Sequence, residues 1–266
     1  MSYLDDYTTF TEVDPNNKIT INSSTQITTA ADKIPAAYLY KDYGVGVFKG
    51  DLEHYLTAKT ISNSAYNAWN VCWSLSNEIG AHLEVQEGIG VSVLPYSVDT
   101  KPNFCVFKIV GGVRTYSTKF QANHGVYYYL TVIRNGSTVT CNFYSDSNRT
   151  NLLGTRSITS APTTNYRYIY AFQNQGVGAT GFTFTMSTYN LKYKDYPSAY
   201  KISGTKNETA RIIVLNESDW NIDSNTVVNG SGDYEIETID TEIKTVIARN
   251  PDGCVKGYGN ITPITE

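Results

Sequence analysis

Short runs in which large and polar residues alternate recur along almost the whole chain, and no stretch carries the 3.6-residue period of an amphipathic helix. The runs include residues 7–13 (YTTFTEV), 37–43 (AYLYKDY), 51–60 (DLEHYLTAKT), 68–76 (AWNVCWSLS), 89–96, 103–110, 112–119 and 181–193. Asn135-Gly136 stands between GVYYYLTVIR and STVTCNFYS, the strongest short-range signal for a β-hairpin. A parallel sheet would need crossover helices between its strands, and the chain offers none. The expected fold is therefore all-β, an antiparallel sandwich or jelly roll.

Near Lys194-Asp-Tyr-Pro-Ser198 the composition changes: Tyr becomes rare, and Glu, Asp and Ile become common. This predicts a larger domain over residues 1–196 and a smaller β-sandwich over 197–266, each with its own run of strands.

Charge and cysteine usage exclude several classes. A net charge of −4 without a basic stripe argues against nucleic-acid binding. No run is long and apolar enough for a membrane helix, and the opening MSYLDDY lacks the basic and apolar regions of a secretory signal, so synthesis in a cytoplasm is expected. Cys72, Cys105, Cys141 and Cys254 form no Cys-x-x-Cys pair and lie far from the histidines in sequence, so zinc and haem lack their ligand spacing and no cofactor is expected. The Asx clusters Asp146-Ser-Asn148 and Asp219-Trp-Asn221-Ile-Asp223 read as turns, not calcium loops.

Two resemblances follow from particular segments. YGVGVFKGDLEHYLTA, AWNVCWSLSN and GVYYYLTVIRNGSTVTCNFYSDSNRTNLLGT give residues 7–193 the look of a concanavalin A-like lectin/glucanase (LamG-like) jelly roll. Ile202-Ser-Gly204, ARIIVLN, Ser231-Gly-Asp-Tyr234-Glu-Ile236 and EIKTVIARNPDG make the second domain resemble carboxypeptidase-regulatory-like sandwiches, which are transthyretin-like and immunoglobulin-like. The first resemblance implies carbohydrate binding or glycoside hydrolysis. Hydrolases of that superfamily carry three alternating carboxylates on one strand; here Asp51-x-Glu53 is followed by Tyr55, and Glu84-x-x-Glu87 has the wrong spacing. With no Gly-x-Ser-x-Gly elbow near His54, His82 or His124, no catalytic residues are named and the chain is expected not to be an enzyme.

Candidate ligand-binding residues are Tyr66, Trp69, Trp73, Tyr96 and Tyr116, whose ring faces suit sugar C–H groups. Trp69 and Trp73 are an even number of residues apart, so a regular strand turns both the same way, either into the core or onto a platform. Together these readings lead to a virion structural protein of a phage (capsid-decorating, fibre or tail component), assembled in the host cytoplasm. Its partners would be other virion proteins or its own copies, as a homo-oligomer, and host-surface glycan, with neither nucleic acid nor membrane. The alternative is an extracellular carbohydrate-binding module or adhesin of a bacterial surface.

Overall fold

Seven of the eight strands in one sheet, and the same number in the other, follow a single hydrogen-bonded path, with the eighth attached off it. The computed structural model describes residues 3–31, 35–63, 69–95, 101–176 and 184–194 of a first unit, and the backbone of seven strands between residues 200 and 265 of a second. The units are Met1–Asp195 and Tyr196–Glu266.

The strands of the first unit open with β1 (Tyr3–Leu4), β2 (Thr11–Val13), β3 (Ile19–Ser23), β4 (Gln26–Ala31), β5 (Tyr38–Asp42), β6 (Leu52–Asn63), β7 (Asn70–Ser76) and β8 (Gly88–Pro95). They continue with β9 (Pro102–Val110), β10 (Val113–Tyr116), β11 (Phe120–Gln121), β12 (Tyr127–Asn135), β13 (Thr138–Tyr144), β14 (Leu152–Ile158), β15 (Tyr168–Gln173) and β16 (Phe184–Tyr193). The first sheet runs β14-β13-β12-β6-β16-β4-β3, with β1 on β16, and the second runs β10-β9-β8-β7-β15-β5-β2, with β11 on β9. The fold is all-β, two antiparallel sheets forming a jelly-roll sandwich. β12 and β13 make the hairpin that Asn135-Gly136 signals, with Asn135 opposite Thr138 and Gly136 at φ 55°, a left-handed conformation that glycine adopts without a Cβ clash.

The inner faces supply the core. β6 sends Leu56 and Ala58 inward, β12 sends Leu130 and Val132, and β13 sends Cys141 and Phe143; they meet Trp73, Leu75, Val91, Val93, Phe104 and Val106 from the other sheet, all buried. Phe104 packs on Phe143 across the gap at 5.4 Å between ring centres. Such alternation is why one face of each strand is apolar in sequence. Cys72, Cys105 and Cys141 are free and buried, and burial pushes the Cys105 thiol up to about 11, so the thiolate needed for reactivity is suppressed.

His54, buried between the sheets, accepts a 3.0 Å hydrogen bond at Nδ1 from Trp73 Nε1 and so ties the two sheets together. His82 is fully buried, because the segment that carries it is pressed onto the second sheet.

In the second unit, β17 (Tyr200–Lys206), β18 (Ala210–Asn216), β19 (Ile222–Val228), β20 (Gly232–Thr238), β21 (Lys244–Arg249), β22 (Val255–Ile261) and β23 (Ile264–Thr265) form sheets ordered β20-β17-β23 and β19-β18-β21-β22. Among the described residues no helix is long and apolar enough to cross a membrane.

Candidate functional site

The outer face of the second sheet gathers aromatic side chains because β7 changes phase. Val71 lies opposite Ser92 and Trp73 opposite Val91, so Cys72 is an extra residue in the ladder, a β-bulge. Val71 packs outward with Val85, Phe107 and Ile109, whereas Trp73 points inward to His54. The expectation that Trp69 and Trp73 share a face is therefore corrected. Trp73 is a core residue and not a ligand candidate, while Trp69 stays outside, half-buried against Tyr116 (4.8 Å) and His82 (6.2 Å).

Two glycines make room on this face. A Cβ on Gly90 would stand 2.5 Å from Phe107 Cζ and 2.6 Å from the Trp73 carbonyl, and one on Gly88 would stand 2.8 Å from the Leu75 carbonyl. With hydrogen at both positions, the Phe107 ring and the Ile109 side chain come in close over β8.

Residues 77–87 cross this face and are fastened to it. Arg114 donates from Nε (3.1 Å) and Nη2 (2.8 Å) to the His82 carbonyl, and from Nη2 to the Val85 carbonyl (2.8 Å). Gln173 Nε2 donates to the Gly80 carbonyl (2.8 Å) while its Oε1 accepts from Ser74 Oγ (2.6 Å). The Tyr170 hydroxyl donates to the Glu78 carbonyl (2.6 Å) and accepts from Gly80 N–H (3.2 Å). His82 Nε2 lies 2.9 Å from the Tyr116 hydroxyl, and burial drops its pKa to about 3, so the ring is neutral at physiological pH. The Tyr116 phenol is pushed up by burial, so it too stays uncharged.

On the β15–β5 side of this segment stand four tyrosines. Register places Tyr170 opposite Tyr40 and Tyr168 opposite Asp42, so their side chains share the outer face. Ring centres are 5.7 Å apart for Tyr40–Tyr168, 5.8 Å for Tyr40–Tyr170, 6.0 Å for Tyr38–Tyr40 and 6.2 Å for Tyr38–Tyr170. Tyr38 and Tyr40 are half-buried and present ring surface to solvent, while Tyr168 and Tyr170 are buried beneath. Arg167 lies 4.9 Å over the Tyr168 ring and grips Asp42 with two hydrogen bonds of 2.8 and 2.6 Å. That pairing holds the Asp42 carboxyl below its usual range. Burial, and then the charge of exposed Glu84, raises the Tyr38 phenol.

Of the sequence candidates, the structure joins Trp69 and Tyr116 and sends Trp73 to the core; Tyr66 and Tyr96 lie outside the described residues. The four tyrosines are not among the sequence candidates, although two-residue spacing in AYLYKDY and YRYIY marks a shared face. The carboxylates weighed for catalysis are engaged: Asp51 accepts from Gly136 N–H (2.7 Å), and Glu53 accepts from the Tyr55 hydroxyl (2.7 Å) and Lys194 (3.0 Å). Asp146 accepts from Thr150 and Asn151 N–H as a turn residue, and among the described residues no group of three or more His, Cys, Asp or Glu could hold a metal. Asp219 and Asn221 lie outside the described residues.

No protein-family model and no curated protein sequence matches the chain. Solved structures resemble it in fold. They include a functionally unknown protein from Saccharomyces cerevisiae (8% identity, 71% of this chain and 97% of that one, TM-score 0.48). An alginate lyase from Klebsiella pneumoniae (9%, 68% and 85%, 0.47) and peanut lectin (10%, 73% and 97%, 0.45) are also similar. Enzymes thus stand beside lectins among the structural neighbours, which overturns the expectation that the chain is not an enzyme: the architecture gives no ground for setting catalysis aside.

Proposed function

We propose that the outer face of the second sheet binds carbohydrate, with Tyr38 and Tyr40 as the platform and Trp69 and Tyr116 as a second contact beyond residues 77–87. The observation that carries this reading is the tyrosine array itself: two half-exposed rings braced from below by Tyr168 and Tyr170. Ring faces held in place contact sugar C–H groups at little cost in side-chain entropy, and the phenol and carboxylate groups around them can meet hydroxyls. Acidic Glu84 beside Tyr38, and an Asp42 already neutralised by Arg167, favour a neutral glycan on this face.

The setting we propose is a phage virion protein that meets host-surface glycan and assembles with itself or with other virion proteins. What supports the setting is the sequence pattern of a lectin-like domain followed by a transthyretin-like one. Calorimetric titration of the full chain with a panel of neutral oligosaccharides tests the binding. A ligand is expected whose affinity falls about tenfold in Tyr40→Ala, the loss of one aromatic contact of roughly 1.4 kcal/mol. Absence of any ligand, or an unchanged affinity in Tyr40→Ala, would sink the reading. Separate incubations with alginate are examined for chain cleavage, since an alginate lyase is among the structures similar in fold.

A further inference from the structure

The first sheet carries a second aromatic face of opposite charge character. Cross-strand register sets Tyr127 opposite Lys59, Tyr129 opposite Thr57, Thr131 opposite Tyr55 and Tyr144 opposite Tyr129, and it sets Tyr189 opposite Thr57 and Lys192 opposite Tyr55. Directly opposed residues share a face, so five tyrosines stand together on the side turned away from the core. Lys59 Nζ lies 4.6 Å over the Tyr127 ring, and Tyr127, 42% exposed, packs on Tyr189 at 5.6 Å.

Arg149 is brought to the same face by a built loop. The Asp146 carboxylate accepts from the N–H groups of Thr150 (3.1 Å) and Asn151 (2.6 Å) and from the Thr150 hydroxyl (3.0 Å). This holds Arg149 in the left-handed conformation at φ 56°, with its guanidinium carbon 5.0 Å over the Tyr55 ring. Nη1 and Nη2 make only long contacts, to the Ser147 carbonyl (3.3 Å) and the Leu56 carbonyl (3.4 Å), and Nε has no hydrogen-bond partner. Among the described residues Lys59, Arg149 and Lys192 form no ion pair, whereas Glu53, the acid on this face of β6, already accepts from Tyr55 and Lys194.

We infer that this face is a second carbohydrate-binding surface, for polysaccharides that bear carboxylates. Tyrosine rings receive the sugar faces, and three cations that form no ion pair receive the uronate groups. Arg149 can do so through a guanidinium fork oriented by Tyr55. A neutral chain would leave those cations without an ion-pair partner. The two faces would thus sort glycans by charge.

The test is affinity electrophoresis of the full-length protein through gels containing polygalacturonate, neutral dextran or duplex DNA, each compared with a plain gel. The variants are Lys59→Gln and Arg149→Gly; glycine suits the left-handed backbone at 149, so the loop keeps its shape. Polygalacturonate is expected to retard the wild-type protein, dextran is not, and the apparent dissociation constant rises about tenfold in each variant. Tyr40→Ala, on the opposite sheet, leaves this retardation intact, so failure of the neutral-glycan reading and failure of this one are distinguishable. No retardation by polygalacturonate, wild-type retardation of both variants, or equal retardation by duplex DNA would each overturn the inference.

Discussion

Trp73 shows how one side chain can serve structure where sequence suggests binding. Its indole fills the core and its N–H meets His54 Nδ1 at 3.0 Å, a hydrogen bond between the sheets where water cannot substitute. Trp73→Phe removes part of the ring and leaves a buried acceptor unpaired, with an expected loss of about 2–4 kcal/mol of stability. Chemical denaturation of the variant measures that loss, and glycan binding by the folded fraction stays unchanged. Tyr40, by contrast, has a ring partly in solvent and is braced rather than enclosed, so its removal acts on binding more than on folding.

At the scale of elements, β8 explains why the outer face of the second sheet can be covered so closely. Gly88 and Gly90 alternate with Ile89 and Val91, so the strand is apolar toward the core and bare toward the outside. Gly90→Ala sets a methyl group against the Trp73 carbonyl as well as the Phe107 ring, and the carbonyl cannot rotate away. The expected cost is about 1–3 kcal/mol, visible as a lower denaturation midpoint. Trp69 and Tyr116 would also shift, because Phe107 packs within 4.6 Å of His82 and within 6.2 Å of Tyr116. The strands themselves were legible: period-two alternation located β6, β12 and β13, and the Asn-Gly turn joined the last two correctly. The bulge at Cys72 was not, because an inserted residue leaves no mark in an apolar run such as NVCWSL. The burial of His82 was hidden as well, since it depends on Arg114 of β10 and on Tyr170 and Gln173 of β15 reaching segment 77–87. The tyrosine array fell between these cases: the spacing was visible in each strand, but the pairing of β5 with β15, more than a hundred residues apart, was not.

For the molecule as a whole, two buried histidines on different faces of the second sheet set an acid limit. His54 lies among Trp73, Phe48 and Tyr193, and His82 among Trp69, Phe107, Tyr116 and Arg114; burial pulls both to about 3. In the unfolded chain each protonates near its ordinary value of about 6.5, so between the two values the unfolded state holds more protons. Stability therefore rises with pH through this window and falls as pH drops below about 6.5, by as much as ~1.4 kcal/mol per pH unit for each histidine. Urea midpoints measured from about pH 7.5 down to pH 5 check this. His82→Gln should flatten the slope, and a slope unchanged in that variant would refute the assignment.

The extra residue at Cys72 has an evolutionary consequence. It splits β7 into two segments of opposite parity, so that Trp69 and Val71 answer to the outer face while Trp73 and Leu75 answer to the interior. Substitutions before the bulge can alter the outer surface without touching the hydrophobic packing between the sheets. Loss of that single residue would put the whole strand back into one phase, exchanging surface for interior along half its length. A lineage carrying this strand should therefore tolerate replacement at position 72 far more readily than deletion.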